Sequence, residues 1–338
     1  MIREALQKVM DRNDLTRPEA FSVMEFIMDG KATPAQIAAF LIAMKMKGET
    51  PQEIAGFAAS MRGKAQRVHT NGYTNAVDLV GTGGDKSYTF NISTVAAFVV
   101  AGCGIPVAKH GNRSVSSKCG SADVLENLGV KLDISPADVE NCIREVGIGF
   151  LFAPLFHGAM KYAAGPRKEI GLRTIFNVLG PLTNPAGATS QVLGVYSPDL
   201  TEKIALVLGK LGSKEAFVVC GEGTFDEISI CSPTRISQLK DGQVNNFQIT
   251  PEDYGFRRAP IDSIKGGDAL ENAQIIRNIL DGREGTRKDM VLFNAGAAFV
   301  VAGLDKDLTN GIQRARETID SGAAKRKLEQ LIEFTNNV

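Results

Sequence analysis

The chain has no excess of charge of either sign. Lys and Arg total 38, Asp and Glu total 38, and the formal net charge is zero. Proteins that bind nucleic acid or lie on membrane surfaces usually carry a basic excess, so neither partner is expected. No apolar run approaches the ~20 residues of a membrane span. The opening stretch MIREALQKVMDRND is charged throughout and has no apolar centre, so it is not expected to be a signal peptide. Cysteine is scarce. Cys103, Cys119, Cys142, Cys220 and Cys231 form no CxxC pair and no zinc spacing, and read as reduced thiols of a cytoplasmic protein.

What is present is ordinary for a soluble protein: 43% apolar and 22% charged residues in a chain of 338. That length suits one large α/β unit or two domains. The first 65 residues read as helices only. Thr16-Arg17-Pro18-Glu19, Thr33-Pro34-Ala35-Gln36 and Thr50-Pro51-Gln52-Glu53 repeat the spacing of a capping box, with Pro in the first turn, where its missing N–H costs nothing. Gly30 and Gly48 stand where two of these helices should stop. The helix Ala35 to Met46 is apolar around most of its circumference. It must pack on the rest of the chain, on a second copy, or both. A homodimer through the N-terminal helices is expected, with Phe40 as the residue to test.

After about residue 70, short apolar runs alternate with helical ones, the pattern of a mostly parallel sheet with helices on its faces. Residues 228–250 differ and read as antiparallel strands joined at Asp241-Gly242. The tail from Gly267 reads as helical.

Four segments could carry chemistry. The first, DLVGTGGDKSYTFNIST from Asp78, sits between an apolar run and a helix start. It is neither GxxxxGK[ST] nor GxGxxG. Bare backbone followed by a helix N-terminus suits an anion. Locally, a tight turn with Asn91 or Ser93 as a helix cap fits as well. The second, Val107 to Asp123, crowds Lys109, His110, Arg113 and Lys118 with four serines, and could wrap a pyrophosphate or be a solvated loop. Two such loops after successive parallel strands favour a ligand, because ligands gather at strand C-terminal ends. The third is Asp226-Glu227, a carboxylate pair that suits Mg²⁺ shared with substrate phosphates, or a solvated corner. In the fourth, His157 to Gly187, Arg167 or Arg173 could hold a carboxylate bidentately or form a surface ion pair.

In order along the chain, these segments resemble the anthranilate phosphoribosyltransferase family. The resemblance rests on Asp78-Leu79-Val80-Gly81-Thr82-Gly83-Gly84-Asp85, Asn91-Ile92-Ser93-Thr94 and Lys109-His110-Gly111-Asn112-Arg113. It continues through Cys119-Gly120-Ser121-Ala122-Asp123, Gly165-Pro166-Arg167, the Asn177 to Pro185 segment and Asp226-Glu227. The family has Pro at Gly158, and Leu or Met at Phe225. The resemblance implies an α/β fold with a small N-terminal helical domain, residues 1–68, joined in space by helices from about 166–188. Residues 69–338 would form a larger domain with a mostly parallel central sheet flanked by helices.

It also implies a reaction, the transfer of phosphoribosyl from 5-phosphoribosyl-1-pyrophosphate to the amine of anthranilate, in a homodimer that uses Mg²⁺. Gly81, Gly84, Asp85, Thr89, Asn91, Ile92, Ser93, Thr94, Lys109 and Ser121 would surround the phosphoribosyl pyrophosphate. His110, Gly111, Asn112, Arg113, Ser114, Val115, Ser116 and Ser117 would complete its enclosing loop. Gly81, His110, Asn112 and Arg167 would line the anthranilate path, and Ser93, Asp226 and Glu227 would bind the metal. No dedicated nucleophile is expected. Two other readings stay open: a pyrimidine nucleoside phosphorylase-like enzyme, and a non-catalytic relative that binds nucleic acid.

Overall fold

The structure, a computed structural model, describes residues 1–70, 76–84, 87–114, 118–223 and 225–338. Four helices come first: α1 (Ile2–Met10), α2 (Arg17–Met28), α3 (Pro34–Lys47) and α4 (Pro51–Lys64). The last three begin in complete capping boxes at Thr16, Thr33 and Thr50, each with Pro in the first turn. Glu53 does more than cap. Its carboxylate is fully buried and accepts from the Leu15 and Thr50 amides at 2.8 Å each and from the Lys47 ammonium at 2.9 Å. One side chain therefore ties the α1–α2 connection, the end of α3 and the start of α4.

The apolar circumference of α3 is used mostly within the chain. Ile37, Phe40, Leu41 and Met44 are buried, and Phe40 meets Phe57 edge-on at 6.0 Å. Phe40 therefore fills the core of the helical unit and does not face outward, contrary to the expectation for it. The open stripe is Ala35, Ala39 and Met46, with Ile42 half-buried beside them.

The remaining chain alternates. Its first part runs β1 (Val77–Gly81), α5 (Ile92–Gly102), β2 (Val107–Gly111), α6 (Ser121–Leu128), α7 (Pro136–Val146) and β3 (Ile148–Phe152). Next come α8 (Ala153–Phe156), α9 (Lys161–Ile170), α10 (Phe176–Leu179), β4 (Ser190–Gly194), α11 (Asp199–Lys210) and β5 (Glu215–Gly221). The chain closes with β6 (Thr234–Lys240), β7 (Gln243–Ile249), α12 (Ala269–Leu280), α13 (Thr286–Val301), α14 (Leu308–Asp320) and α15 (Ala323–Asn336). Among the described residues the sheet has seven strands in the order β3-β2-β1-β4-β5-β6-β7. The first five are parallel. β6 and β7 are antiparallel and turn at Asp241-Gly242, where both residues have positive φ, as a tight hairpin requires.

Two large cores flank the sheet. One joins α5 and the C-terminal helices to the strands. The other joins α1–α4, α9, α10 and α11 to β4, β5 and β6. No helix among the described residues is long and apolar enough to cross a membrane.

The strand order sets the position of the site. From β1 the chain moves to β2 on one side, while β4 lies on the other. The C-terminal ends of β1 and β4 thus border the crevice at which open α/β sheets bind ligands. The two sides of β1 are unlike. With β4 it pairs along all five residues, Val77↔Ser190 through Gly81↔Gly194. With β2 its described pairing is Val77↔Val107 alone, and beyond that point the strands part.

Candidate active site

Side chains fill the gap between β1 and β2. The Lys109 ammonium donates to the Leu79 carbonyl at 2.6 Å and to Ser93 Oγ at 3.3 Å. The Asp78 carboxylate accepts from the His110 amide at 3.2 Å and from Asn184 Nδ2 at 2.8 Å, and Asn184 Nδ2 also donates to the Ala108 carbonyl at 2.8 Å. These bonds replace ladder bonds for the Leu79 carbonyl, the His110 amide and the Ala108 carbonyl, which keep partners in the interior. Asp78 and Lys109 are both buried. Burial pushes the Asp78 carboxyl up to about 6 against the opposing pull of Lys109. Burial pushes Lys109 down, against Asp78 and Glu227.

On the β4 side, backbone approaches backbone. Thr82 N donates to the Gly194 carbonyl at 2.9 Å, and Gly83 N donates to Asp226 Oδ2 at 2.7 Å. Asp226 reaches this point because the chain doubles back after β5. Gly221 and Phe225 exchange backbone bonds at 2.7 and 3.2 Å, and Asn294 holds both backbone groups of Ile228 at 3.0 Å. A Cβ on Gly194 would collide with the Asp226 carbonyl oxygen, and one on Gly81 would press on its carboxylate. Gly81 is thus bare to admit Asp226. The members of the turn that need glycine's conformational freedom are Gly83 and Gly84, with φ of 66° and 73°.

At the start of α5, Asn91 occupies the N-cap position but makes no capping bond. Its amide donates to the Cys119 carbonyl at 3.2 Å and accepts from Asn272 at 3.0 Å, tying α5 to the second loop and to α12. Thr89 bridges to Lys265, and Ile92 is buried. The hydroxyls of Thr82 and Thr94 are buried, with no hydrogen-bond partner among the described residues.

The second loop folds back onto α6. Ser121 Oγ donates to the Asn112 carbonyl at 3.3 Å, and Asp123 accepts from the Ser114 and Gly120 amides at 2.9 and 2.8 Å. Gly111 has no room for a side chain beside Ser121 and Phe150. Arg113 pairs with Glu126 and Asp123, so its charge is engaged on α6. Asp85, Val115, Ser116 and Ser117 lie outside the described residues.

His110 meets His157, with Nε2 to Nε2 at 3.2 Å, so one ring donates and the other accepts. Burial pushes His110 down to about 3 and His157 down to about 4, which leaves both neutral at pH 7. Arg167, on α9, stands over the Phe176 ring at 4.9 Å, and burial lowers its pKa. The structure therefore gathers Gly81, Ser93, Lys109, His110, Asp226 and Glu227 at one end of the central strands. Arg167 stands with the helical unit. Sequence reasoning gave no role to Asp78, Asn184, His157 or Asn294. A charged residue inside the apolar strand run NAVDLV was the available signal for Asp78.

The family models agree with this layout. One described as the glycosyl transferase family a/b domain matches residues 73–325, and one described as its helical bundle domain matches residues 3–65. The anthranilate phosphoribosyltransferase of Desulforamulus reducens is 55% identical over 100% of this chain and 98% of its own. That of Desulfosudis oleivorans is 57% identical over 100% and 99%. The chain belongs to the anthranilate phosphoribosyltransferase family. Among solved members of the family, the Thermus thermophilus enzyme superposes with a TM-score of 0.93 at 43% identity, covering 98% of this chain and 99% of that one. The Saccharomyces cerevisiae enzyme in complex with PRPP and Mg superposes at 0.91 with 26% identity, covering 100% and 98%. Membership over the whole length sets aside the nucleoside phosphorylase and nucleic-acid readings.

The crossing of Asp226 over Gly194 generates a prediction. Gly194→Ala should displace the acidic loop and lower turnover about 100-fold, the usual cost of misplacing reacting groups by ~1 Å, while the protein stays folded. Steady-state kinetics beside circular dichroism would check this. Turnover near that of the unmodified protein would show that the loop position does not matter.

Proposed function

We infer that this chain transfers the phosphoribosyl group of 5-phosphoribosyl-1-pyrophosphate to the amine of anthranilate, releasing pyrophosphate, in tryptophan biosynthesis. What carries the reading is the likeness to enzymes of that activity along the entire chain. The site supports it. The α5 N-terminus, a buried ammonium and two buried hydroxyls without a partner among the described residues suit a phosphorylated substrate. The aromatic amine is neutral at pH 7 and needs no strong base. The barrier lies in the departure of pyrophosphate, so the residues' work is to hold charge and to align the acceptor.

The proposed roles follow from position. Gly81, Gly84, Asn91, Ser93, Thr94, Lys109 and Ser121 hold the phosphoribosyl pyrophosphate. His110 and Asn112 orient anthranilate, and Arg167 takes its carboxylate through two parallel hydrogen bonds. His110 is neutral and a weak base, so its role is to orient the acceptor without placing a cation beside the amine. Arg113 contributes to the phosphoribosyl pyrophosphate only if it leaves Glu126. Direct support comes from an assay. Protein, Mg²⁺, phosphoribosyl pyrophosphate and anthranilate should together lose anthranilate fluorescence, and Arg167→Ala should raise the KM for anthranilate far more than that for the other substrate. Undiminished fluorescence with the unmodified protein would sink the reading.

Mg²⁺ fits the donor set. Among the described residues, no group of three His, Cys, Asp or Glu is arranged to hold an ion alone. Asp226, Glu227 and the Ser93 hydroxyl are hard oxygen donors, and Mg²⁺ commonly takes one or two carboxylates and completes its shell with substrate phosphates. Bound there, it would neutralise charge that builds on the leaving pyrophosphate. Asp226→Asn with Glu227→Gln keeps an acceptor for the Gly83 amide, so the fold should survive. Turnover should fall on the order of 100-fold or more, with a higher Mg²⁺ requirement, as expected when several kcal/mol of charge stabilisation is lost. A magnesium titration of turnover would check this, and near-normal activity at limiting Mg²⁺ would remove the metal role.

We divide the chain at about residue 68, with 166–188 assigned in space to the helical unit. The core that α1–α4 share with α9 and α10 supports the division. The open stripe Ala35, Ala39, Ile42 and Met46 supports a homodimer through α3. Ile42→Asp with Met46→Asp should shift sedimentation from dimer to monomer, and a monomeric unmodified protein at micromolar concentration would refute it. A cytoplasmic setting suits five free thiols.

A further inference from the structure

Away from the site, a cavity of about 640 Å³ lies between residues 254–260 and α14. Its Arg258 and Arg316 already face carboxylates, Glu252 and Glu284. Arg173 is different. No carboxylate pairs with it among the described residues, although its guanidinium is half-buried and well supported.

Both ends of that support are rigid. Gly171, left-handed with φ of 63°, ends α9, and Thr174 N is held by Asn177 Oδ1 at 2.9 Å. Arg173 lies between them. From there its side chain reaches the sheet and stacks over the Tyr196 ring at 4.3 Å. Tyr196 follows Val195, whose amide bonds the Val219 carbonyl of β5 at 2.9 Å. The guanidinium thus spans from the α9–α10 connection to the C-terminal end of β4.

At that end it faces the glycine turn. Arg173 Nη2 and Nε lie 3.2 and 3.6 Å from the place a Cβ would take on Gly84. The edge turned to Gly84 is therefore the Nε–Nη2 edge, one of the two that can give a phosphate parallel hydrogen bonds. Asp226 occupies another side of the same turn through the Gly83 amide. Carboxylates at the turn repel a phosphorylated substrate, and Arg113, the other arginine near these loops, is held by Glu126 and Asp123. A stacked guanidinium beside Gly84, without a carboxylate partner among the described residues, supplies the missing charge.

We propose that Arg173 binds the pyrophosphate of the phosphoribosyl donor, as a second cation beside Lys109. The inference rests on the reaction proposed above. Anthranilate has its own guanidinium in that reading, Arg167, so loss of Arg173 should fall on the donor. Because the pyrophosphate gains charge as it leaves, turnover should fall as well.

The test is calorimetric titration with phosphoribosyl pyrophosphate and Mg²⁺ in the absence of anthranilate. Arg173→Gln should raise the Kd at least about tenfold, the scale of a lost charge-assisted pair, and leave the KM for anthranilate within about twofold. Arg173→Lys keeps the charge without the fork and should recover part of the donor affinity. A packing role over Tyr196 would not produce that graded recovery. An unchanged donor Kd in Arg173→Gln overturns the proposal. So does a rise confined to the KM for anthranilate, or a loss that Arg173→Lys, folded and with an unaltered unfolding temperature, fails to relieve. Donor binding is read without the acceptor. If the unmodified protein bound the donor but transferred nothing to anthranilate, the reaction would fall while Arg173 was still judged by the Kd.

Discussion

The site depends on the parting of β1 from β2. Parallel strands that stayed paired would join the Leu79 carbonyl, the His110 amide and the Ala108 carbonyl to backbone partners. Here those groups take the ammonium of Lys109, the carboxylate of Asp78 and the amide of Asn184. The exchange places an ammonium and a carboxylate in the interior, where each alone would be costly by several kcal/mol. Their mutual attraction and hydrogen bonds offset only part of that cost, since burial still pushes Asp78 up and Lys109 down. The result is a positive group whose position is fixed before any ligand arrives, beside Ser93 at the start of α5. A flexible surface lysine would have to be ordered on binding, so this arrangement spends less of the binding energy on entropy.

The other flank of β1 obeys the opposite rule. β1 and β4 remain fully paired, and both end in glycine. The absence of two side chains lets the Asp226 segment lie across the strand ends, so a carboxylate that follows β5 arrives over β1. A seam that carries the Lys109 ammonium thus lies on one side of β1 and an acidic loop on the other, with the glycine turn between them. A phosphorylated substrate and a divalent ion need such a pairing of opposite charges across a short distance. The sheet order supplies it at the switch point.

Much of this was legible in the sequence wherever a signal was local. Capping boxes at Thr16, Thr33 and Thr50 depend on four consecutive residues, and the hairpin at Asp241-Gly242 on two. The alternation of runs revealed the parallel sheet. What could not be read locally was who meets whom across the chain. Gly81 was legible as bare backbone, but its neighbour is Asp226, 145 positions later. Asn91 looked like a helix cap and instead holds Cys119 and Asn272. Arg113 stood among phosphate-loop residues, yet two acids of the following helix claim it. Phe40 lay on an apolar helix with no partner in view, and Phe57 of the next helix buries it. In each case the residue type was informative and the contact was long-range or three-dimensional.

The histidine pair completes the division of labour. Two imidazoles that share one hydrogen bond in a buried setting cannot both carry charge, and burial keeps each well below neutrality. Positive charge at this end of the sheet therefore comes from Lys109 and the arginines and not from the imidazoles. The neutral pair, bonded ring to ring, adds no attraction for phosphate. An acceptor amine needs a neutral surface of that kind, since a cation beside it would oppose the positive charge that grows on nitrogen as its bond to the ribose forms. His110 sits at the meeting point of both demands. Its backbone belongs to the charged seam through Asp78, and its ring belongs to the neutral pair through His157.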